Sequence, residues 1–169
     1  LVRTVLGSSA LDALVDQLFE RSGGNPLFLT ELAELAKANP MSTDLPGSLR
    51  ALIAARLDRL PTSQRAIIDN AAVLGATGQI DALAKFATEM QQPFDDDDVR
   101  VLAEDGLIEL DGENWRFRSD VVREVAYQTL TKLVRAQRHA GTASVMANSP
   151  MIPMDQIAHH AASAAELVA

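Results

Sequence analysis

Apolar side chains recur at intervals of three and four along most of this chain, and at intervals of two in a single place. Leu11, Leu14, Val15, Leu18 and Phe19 make a helical stripe behind Ser8-Ser9, with Ser9 and Asp12 spaced as in a capping box. Gly23-Gly24 stops that helix. Asn25-Pro26 opens the next, with Asn as the N-cap and Pro at the first helical position, where a missing N–H costs nothing. Phe28, Leu29, Leu32, Leu35 and Ala36 form its apolar face up to Asn39-Pro40, and residues 41–47 read as a loop. Leu49, Leu52, Ile53, Leu57 and Leu60 mark a third helix, with Arg50, Arg56, Asp58 and Arg59 left for its wet face. After Pro61-Thr62 a fourth carries Ile67, Ile68, Ala71, Ala72 and Leu74 and ends at Gly75. A fifth spans 79–90 with Ile80, Leu83, Phe86 and Ala87 inward, and a sixth holds Val99, Leu102 and Ala103 behind Asp95–Asp98, whose charge suits a helix N-terminus.

The period of two falls at 107–118. Ile108 and Leu110 alternate with Glu109, Trp115 and Phe117 with Arg116 and Arg118, and Asp111-Gly112-Glu113-Asn114 between them carries the Asp-Gly hairpin signal. This is the one β signal the pattern gives, and a lone hairpin must lean on helices. Asp120 is placed to cap a long helix with Val121, Val122, Val125, Ala126, Leu130, Leu133 and Val134, running to about Met146. A break at 148–153 precedes a closing helix, 155–168, with Ile157, Ala161, Ala165 and Val168 on one side. Helix, hairpin, helix is the outline of a winged-helix domain in a mainly α chain.

Composition narrows the reading. The 169 residues suffice for one domain or two small ones, and 47% hydrophobic content supports a core. The net charge of −8 argues against non-specific nucleic-acid binding. The absence of cysteine excludes disulfides and thiol chemistry and fits a reducing, cytoplasmic setting. No apolar run reaches the roughly 18 residues of a membrane span. Leu1-Val2-Arg3 is neither an initiator Met nor a signal peptide, which we read as the start of a piece cut from a longer chain.

Candidate chemistry is sparse. His159 and His160 are neighbours on a helix and point about 100° apart, so they do not readily share an ion with Asp155. His139 is distant in sequence, and packing or surface histidines are the simpler reading, with no metal site expected. The four aspartates lack the ligand spacing of a calcium loop. Neither G-x-S-x-G nor G-x-x-x-x-G-K-[ST] occurs, and no carboxylate pair stands out, so the chain reads as non-catalytic by itself. As a DNA reader its pre-hairpin helix is wrongly charged. Residues 95–105 hold six acids against Arg100, a net −5. Residues 115–139 hold six bases against Asp120 and Glu124, a net +4 that could meet an anion, an acidic protein face or water.

Three blocks in order carry a resemblance. They are Arg21-Ser22-Gly23-Gly24-Asn25-Pro26-Leu27-Phe28-Leu29 with Glu31-Leu32; the run from Leu45-Pro46-Gly47 to Arg56-Leu57-Asp58-Arg59-Leu60-Pro61; and Trp115-Arg116-Phe117-Arg118 leading into Val122-Arg123-Glu124-Val125-Ala126-Tyr127. Together they resemble the region after the nucleotide-binding core of STAND ATPases, signal-transduction ATPases with numerous domains. The bacterial members are often fused to class III adenylyl cyclase or LuxR-type domains, and the mycobacterial cyclase-linked kind looks most similar.

The resemblance implies a helical lid segment over 1–45, a winged-helix domain over 46–127, and a helical connector over 128–169 leading toward tetratricopeptide-like repeats. It implies a non-catalytic regulatory segment whose partners are the nucleotide-binding core and the effector domain of the same parent chain. No cofactor belongs to the segment; ATP or ADP with Mg belongs to the parent, whose phosphate loop and magnesium acids would lie upstream of Leu1. Gly24, Asn25 and Pro26 match the family's G-x-P turn, whose Pro lies against the nucleotide base. Arg118 and Ser119 fall where many members have a Phe-Arg-His sequence after the wing, and the Ser stands in place of a His expected to reach phosphate. Arg116 and Arg123 are weaker candidates for anion contact. A winged-helix transcription factor domain and a plain protein–protein scaffold are the rival readings.

Overall fold

A computed structural model describes residues 12–38, 47–147 and 154–168. The expected Ser9 capping box, the Asn39-Pro40 stop, the break at 148–153 and all of the expected loop at 41–47 except Gly47, which instead begins a helix, lie outside the described residues. Among the described residues nine helices and three strands follow in order: α1 Asp12–Ser22, α2 Pro26–Ala38, α3 Gly47–Leu57, α4 Thr62–Leu74, β1 Thr77–Gln79, α5 Ile80–Glu89, α6 Asp96–Glu104, β2 Ile108–Asp111, β3 Asn114–Phe117, α7 Asp120–Thr129, α8 Lys132–Ala147 and α9 Met154–Val168. The chain is mainly α with one small antiparallel sheet, and α4-β1-α5-α6-β2-β3 is the element order of a winged helix.

The hairpin has company. Its strands pair Ile108 with Phe117 through Asp111 with Asn114, leaving Gly112-Glu113 as a two-residue loop. Gly112 holds φ +58° there, the sense of twist that such tight hairpins need. β1 then pairs with β3, Thr77 against Arg116 and Gln79 against Asn114, to give the order β1-β3-β2. The pattern of apolar positions does not announce β1, because Thr-Gly-Gln has no alternation and a glycine at its centre. That glycine is a packing requirement. A Cβ on Gly78 would lie 3.0 Å from the Trp115 ring. Trp115 is 1% exposed, donates its indole N–H to the Gln79 carbonyl at 3.2 Å, and meets Phe117 edge-on at 5.8 Å. The Thr77 hydroxyl donates to the Trp115 carbonyl at 2.8 Å and locks the same register.

One core runs from Leu18 through Leu32, Ile53, Leu57, Ile68, Leu83, Leu102 and Trp115 to Val125 and Ala126. Both α1 and α3 pack on α7, so the helices before the winged helix and the helix after it share that core. Several apolar residues expected inside are outside: Phe19, Leu52, Leu110 and Leu133 are exposed. Leu110 sits on the outer half of a short strand whose inner half, Ile108, reaches the core.

Helix ends follow local chemistry. Asp95 caps α6, its carboxylate accepting the Asp97 N–H at 2.9 Å. The expected cap at Asp120 is displaced by one residue: Ser119 is the N-cap of α7 and Asp120 the first helical residue. The expected single helix from 120 to about 146 is two. Leu130 leaves the helix at ψ 137°, and the Thr131 hydroxyl accepts the Val134 N–H at 3.3 Å to start α8. Leu130 is buried by this bend rather than carried round on a straight helix. In α9 the docked side is not the alanine stripe. Ala161, Ala165 and Val168 are exposed, and His160 is buried with Ile157, Ser163, Ala164 and Leu167 half-buried around it.

Trp115 is the largest fully buried side chain among the described residues, and its contacts fix the register of β1 against β3. Trp115→Ala is expected to lower the unfolding free energy by about 3–5 kcal/mol, read by circular dichroism in urea. A loss under about 1 kcal/mol would mean the wing is not packed as described.

Candidate functional site

The turn between α1 and α2 is built by a short run of backbone constraints. The Ser22 hydroxyl donates to the Phe19 carbonyl at 2.9 Å and accepts the Gly24 N–H at 3.2 Å. Gly23 and Gly24 take φ +60° and +71°, a left-handed pair that L side chains resist. Asn25 then caps α2, its side-chain carbonyl accepting the Phe28 N–H at 3.4 Å, as the Asn-Pro pair predicts.

This turn is pressed against the end of the wing. A Cβ on Gly23 would stand 1.9 Å from the Arg118 carbonyl oxygen and 3.1 Å from the Ser119 Cβ. The Ser119 hydroxyl donates to the Arg21 carbonyl at 2.7 Å, and Arg21 pairs with Glu124 of α7 at 3.3 Å. Between turn and wing opens a cleft of about 260 Å³ lined by Ser22, Gly23, Gly24, Asn25, Pro26, Phe28, Arg56, Asp105, Gly106, Arg118, Ser119 and Val122. Gly24, Asn25, Pro26, Arg118 and Ser119, drawn from two distant stretches of the chain, all line it.

The cleft carries two guanidinium groups. Arg56 donates to the carbonyl of Asp105, another lining residue. Arg118 is half-exposed over Gly106, its Nε 3.8 Å from the Glu109 carboxylate. The α2 N-terminus offers little to an anion, since Pro26 has no N–H and the Phe28 N–H is already capped. Ser119 is buried with its proton committed to Arg21. An anion in this cleft would therefore meet Arg56 and Arg118, with the exposed Pro26 ring as an apolar face beside them. The apolar pattern alone puts Arg56 on a wet helix face. Its membership of the Leu45–Pro61 block is the sequence signal that marks it.

The rest of the basic stripe disperses. Arg116 pairs with Glu109 on the outer face of the sheet. Arg123 lines a separate cleft beside Tyr127 and His139. Arg138 is buried, 3.2 Å from the Gln92 amide oxygen and 3.9 Å from Asp69, which Arg65 holds more closely at 2.8 Å. Burial pushes the Asp69 carboxyl up against the opposing pull of Arg65 and Arg138, and burial lowers Arg138. Arg135 lies over the Tyr127 ring at 5.1 Å. The histidines, in contrast, come together: His139 and His160 meet at 2.8 Å, a contact hidden by twenty-one positions of separation. Among the described residues no group of three or more His or acids is arranged to hold a metal ion, and no helix is long and apolar enough to cross a membrane.

No protein-family model, curated protein or solved structure matches the chain.

Gly23→Ala must displace the Arg118 backbone and is expected to cost more than about 2 kcal/mol. Ser119→Ala leaves the Arg21 carbonyl without its donor and is expected to cost about 1–3 kcal/mol. Gly47→Ala, where a Cβ meets nothing within 4 Å, serves as the control and should stay within about 0.5 kcal/mol of wild type in the same urea titration.

Proposed function

We propose that this chain is a regulatory segment of a multidomain signalling ATPase of the STAND kind, coupling nucleotide state to an effector domain such as an adenylyl cyclase or a transcription regulator. The observation that carries the reading is the single cleft. The Gly24-Asn25-Pro26 turn and the Arg118-Ser119 corner, picked out by resemblance in two distant blocks, line it together with Arg56. In the parent, the segment would close over a nucleotide held mainly by the upstream core. Arg56 and Arg118 would supply positive charge toward phosphate, and Pro26 an apolar edge toward the base. ATP or ADP with Mg is the ligand of that parent, and the phosphate-binding loop is upstream. Loss of the γ-phosphate or exchange of the nucleotide would then shift the balance between two packings of the winged helix. Ser119 departs from the family's His, and its hydroxyl serves the Arg21 carbonyl instead, so phosphate contact rests on the arginines.

The DNA-reading alternative is disfavoured by charge. The helix before the wing opens with Asp95, Asp96, Asp97 and Asp98, all exposed apart from a half-buried Asp98 edge that accepts from Gln64 at 3.0 Å. Fluorescence anisotropy with duplex DNA is expected to show no binding tighter than about 100 μM at moderate salt. Tight binding with a steep salt slope would replace the ATPase reading by the transcription-factor one. The reading frame upstream of Leu1 is expected to encode G-x-x-x-x-G-K-[ST] between a strand and a helix. A start codon directly before Leu1 with no such loop would sink the proposal.

A further inference from the structure

The closing helix α9 buries one side chain among its described residues, and that side chain is a histidine. His160 Nδ1 lies 2.8 Å from Nδ1 of His139 on α8, and His139 Nε2 lies 2.9 Å from the Tyr127 hydroxyl on α7. One line of polar atoms thus ties three successive helices, in a seam whose other docked α9 residues are only half-buried.

We propose that the Tyr127–His139–His160 line is a proton-operated latch, holding α9 on α8 at neutral pH and releasing it on acidification. The latch is independent of whether the cleft at Pro26 and Arg118 meets a nucleotide.

Two ring nitrogens at hydrogen-bond distance need one N–H and one lone pair. The Tyr127 hydroxyl can donate or accept, so either neutral tautomer of His139 completes the line. A first added proton can sit within the contact. A second removes the last lone pair and sets two N–H groups head to head at 2.8 Å, which opens the contact.

The surroundings oppose even the first proton. On α7, Arg123 and Glu124 line the adjoining cleft. On α8, Arg135 lies over the Tyr127 ring. On α9, the His159 ring stands 6.4 Å from that of His139 and 5.4 Å from that of His160. α4 contributes Ala72, Val73 and Leu74 to the cleft and no charge. The acids on neighbouring elements have other partners: Glu124 pairs with Arg21, Asp69 with Arg65, and Glu89 of α5 accepts from the Ser144 hydroxyl at 3.5 Å. The acids of α9 itself, Asp155 and Glu166, are exposed. Among the described residues the hydrogen bonds of the two rings run to each other and to the Tyr127 hydroxyl, and Glu124, the acid that shares their cleft, is paired with Arg21.

Burial first, then the charges of His160, His159 and Arg135, bring His139 down to about 4, and burial followed by His159 lowers His160. In water a freed histidine returns to about 6.5. The released state therefore binds more protons than the docked one. Docking is strongest above about pH 6.5 and weakens as pH falls toward about 4, by up to roughly tenfold per pH unit through His139, with His160 acting in the same direction.

The test is an NMR titration of the whole chain from about pH 7.5 to about pH 4. It follows the Ile157 and Leu167 methyl signals and their contacts with α8, with the Trp115 indole signal as reporter of the core. The expected result is loss of the α9–α8 contacts over that range while Trp115 keeps its native signal. His160→Gln, which keeps a polar group but cannot take a proton, is expected to hold α9 about one pH unit further into acid. If that variant leaves α9 undocked at neutral pH, His139→Gln is read the same way. The latch is overturned if wild-type α9 stays docked to about pH 4, if its contacts vanish only together with the Trp115 signal, or if the non-titrating variant releases at the wild-type pH.

Discussion

The approach of Gly23 to the carbonyl of Arg118 sets the rest of the molecule. At that point two backbones touch with no space for a methyl group, and only glycine permits it. On one side the left-handed Gly23-Gly24 pair turns α1 into α2 and presents Asn25 as a cap. On the other, the end of β3 turns into α7 through Ser119. The hydroxyl of Ser119 on the Arg21 carbonyl and the Arg21–Glu124 pair fasten the same seam from both sides. Because the half-exposed ion pair is worth little by itself, the close packing and the buried hydroxyl bond carry the fixation. The cleft exists because this seam closes at its back and gapes at Pro26 and Arg118.

Much of this fold is legible in the order of residues. Periods of three and four place the helices because their apolar faces, such as Leu83, Phe86 and Ala87, do bury. The Asp-Gly turn and the alternation around Trp115 place the hairpin. β1 escapes because a three-residue strand with a central glycine is defined by its neighbour: Gly78 is there to admit the Trp115 ring, a tertiary demand with no local signature. The division of α7 from α8 escapes for a related reason. A β-branched, polar Thr131 in an otherwise helical run marks a new cap only when Leu130 has somewhere to be buried. The alanine stripe of α9 misleads because small apolar residues fit either side of a helix, and the docked side is chosen by His160.

The candidate site divides in the same way. Resemblance marks Gly24, Asn25, Pro26, Arg118 and Ser119, and all five line one cleft. The basic stripe counted along the sequence, in contrast, disperses in the fold. Arg116 turns to Glu109, Arg138 to Asp69 and Gln92, and Arg135 to the Tyr127 ring, because residues adjacent in sequence on a hairpin and two helices face different neighbours. The histidine contact between α8 and α9 is invisible in the sequence for the converse reason: helix packing joins residues that no linear spacing relates.

Whether the cleft between the α1–α2 turn and the wing faces nucleotide is tested by an NMR titration of the chain with ADP up to about 10 mM, since contacts from this segment alone would be weak. A nucleotide-facing cleft gives shifts centred on the Gly24, Gly106 and Arg118 amides, sharply reduced by Arg118→Ala and by Arg56→Ala. An absence of shifts there at about 10 mM ADP, or shifts confined to another face and indifferent to both arginines, would overturn that reading.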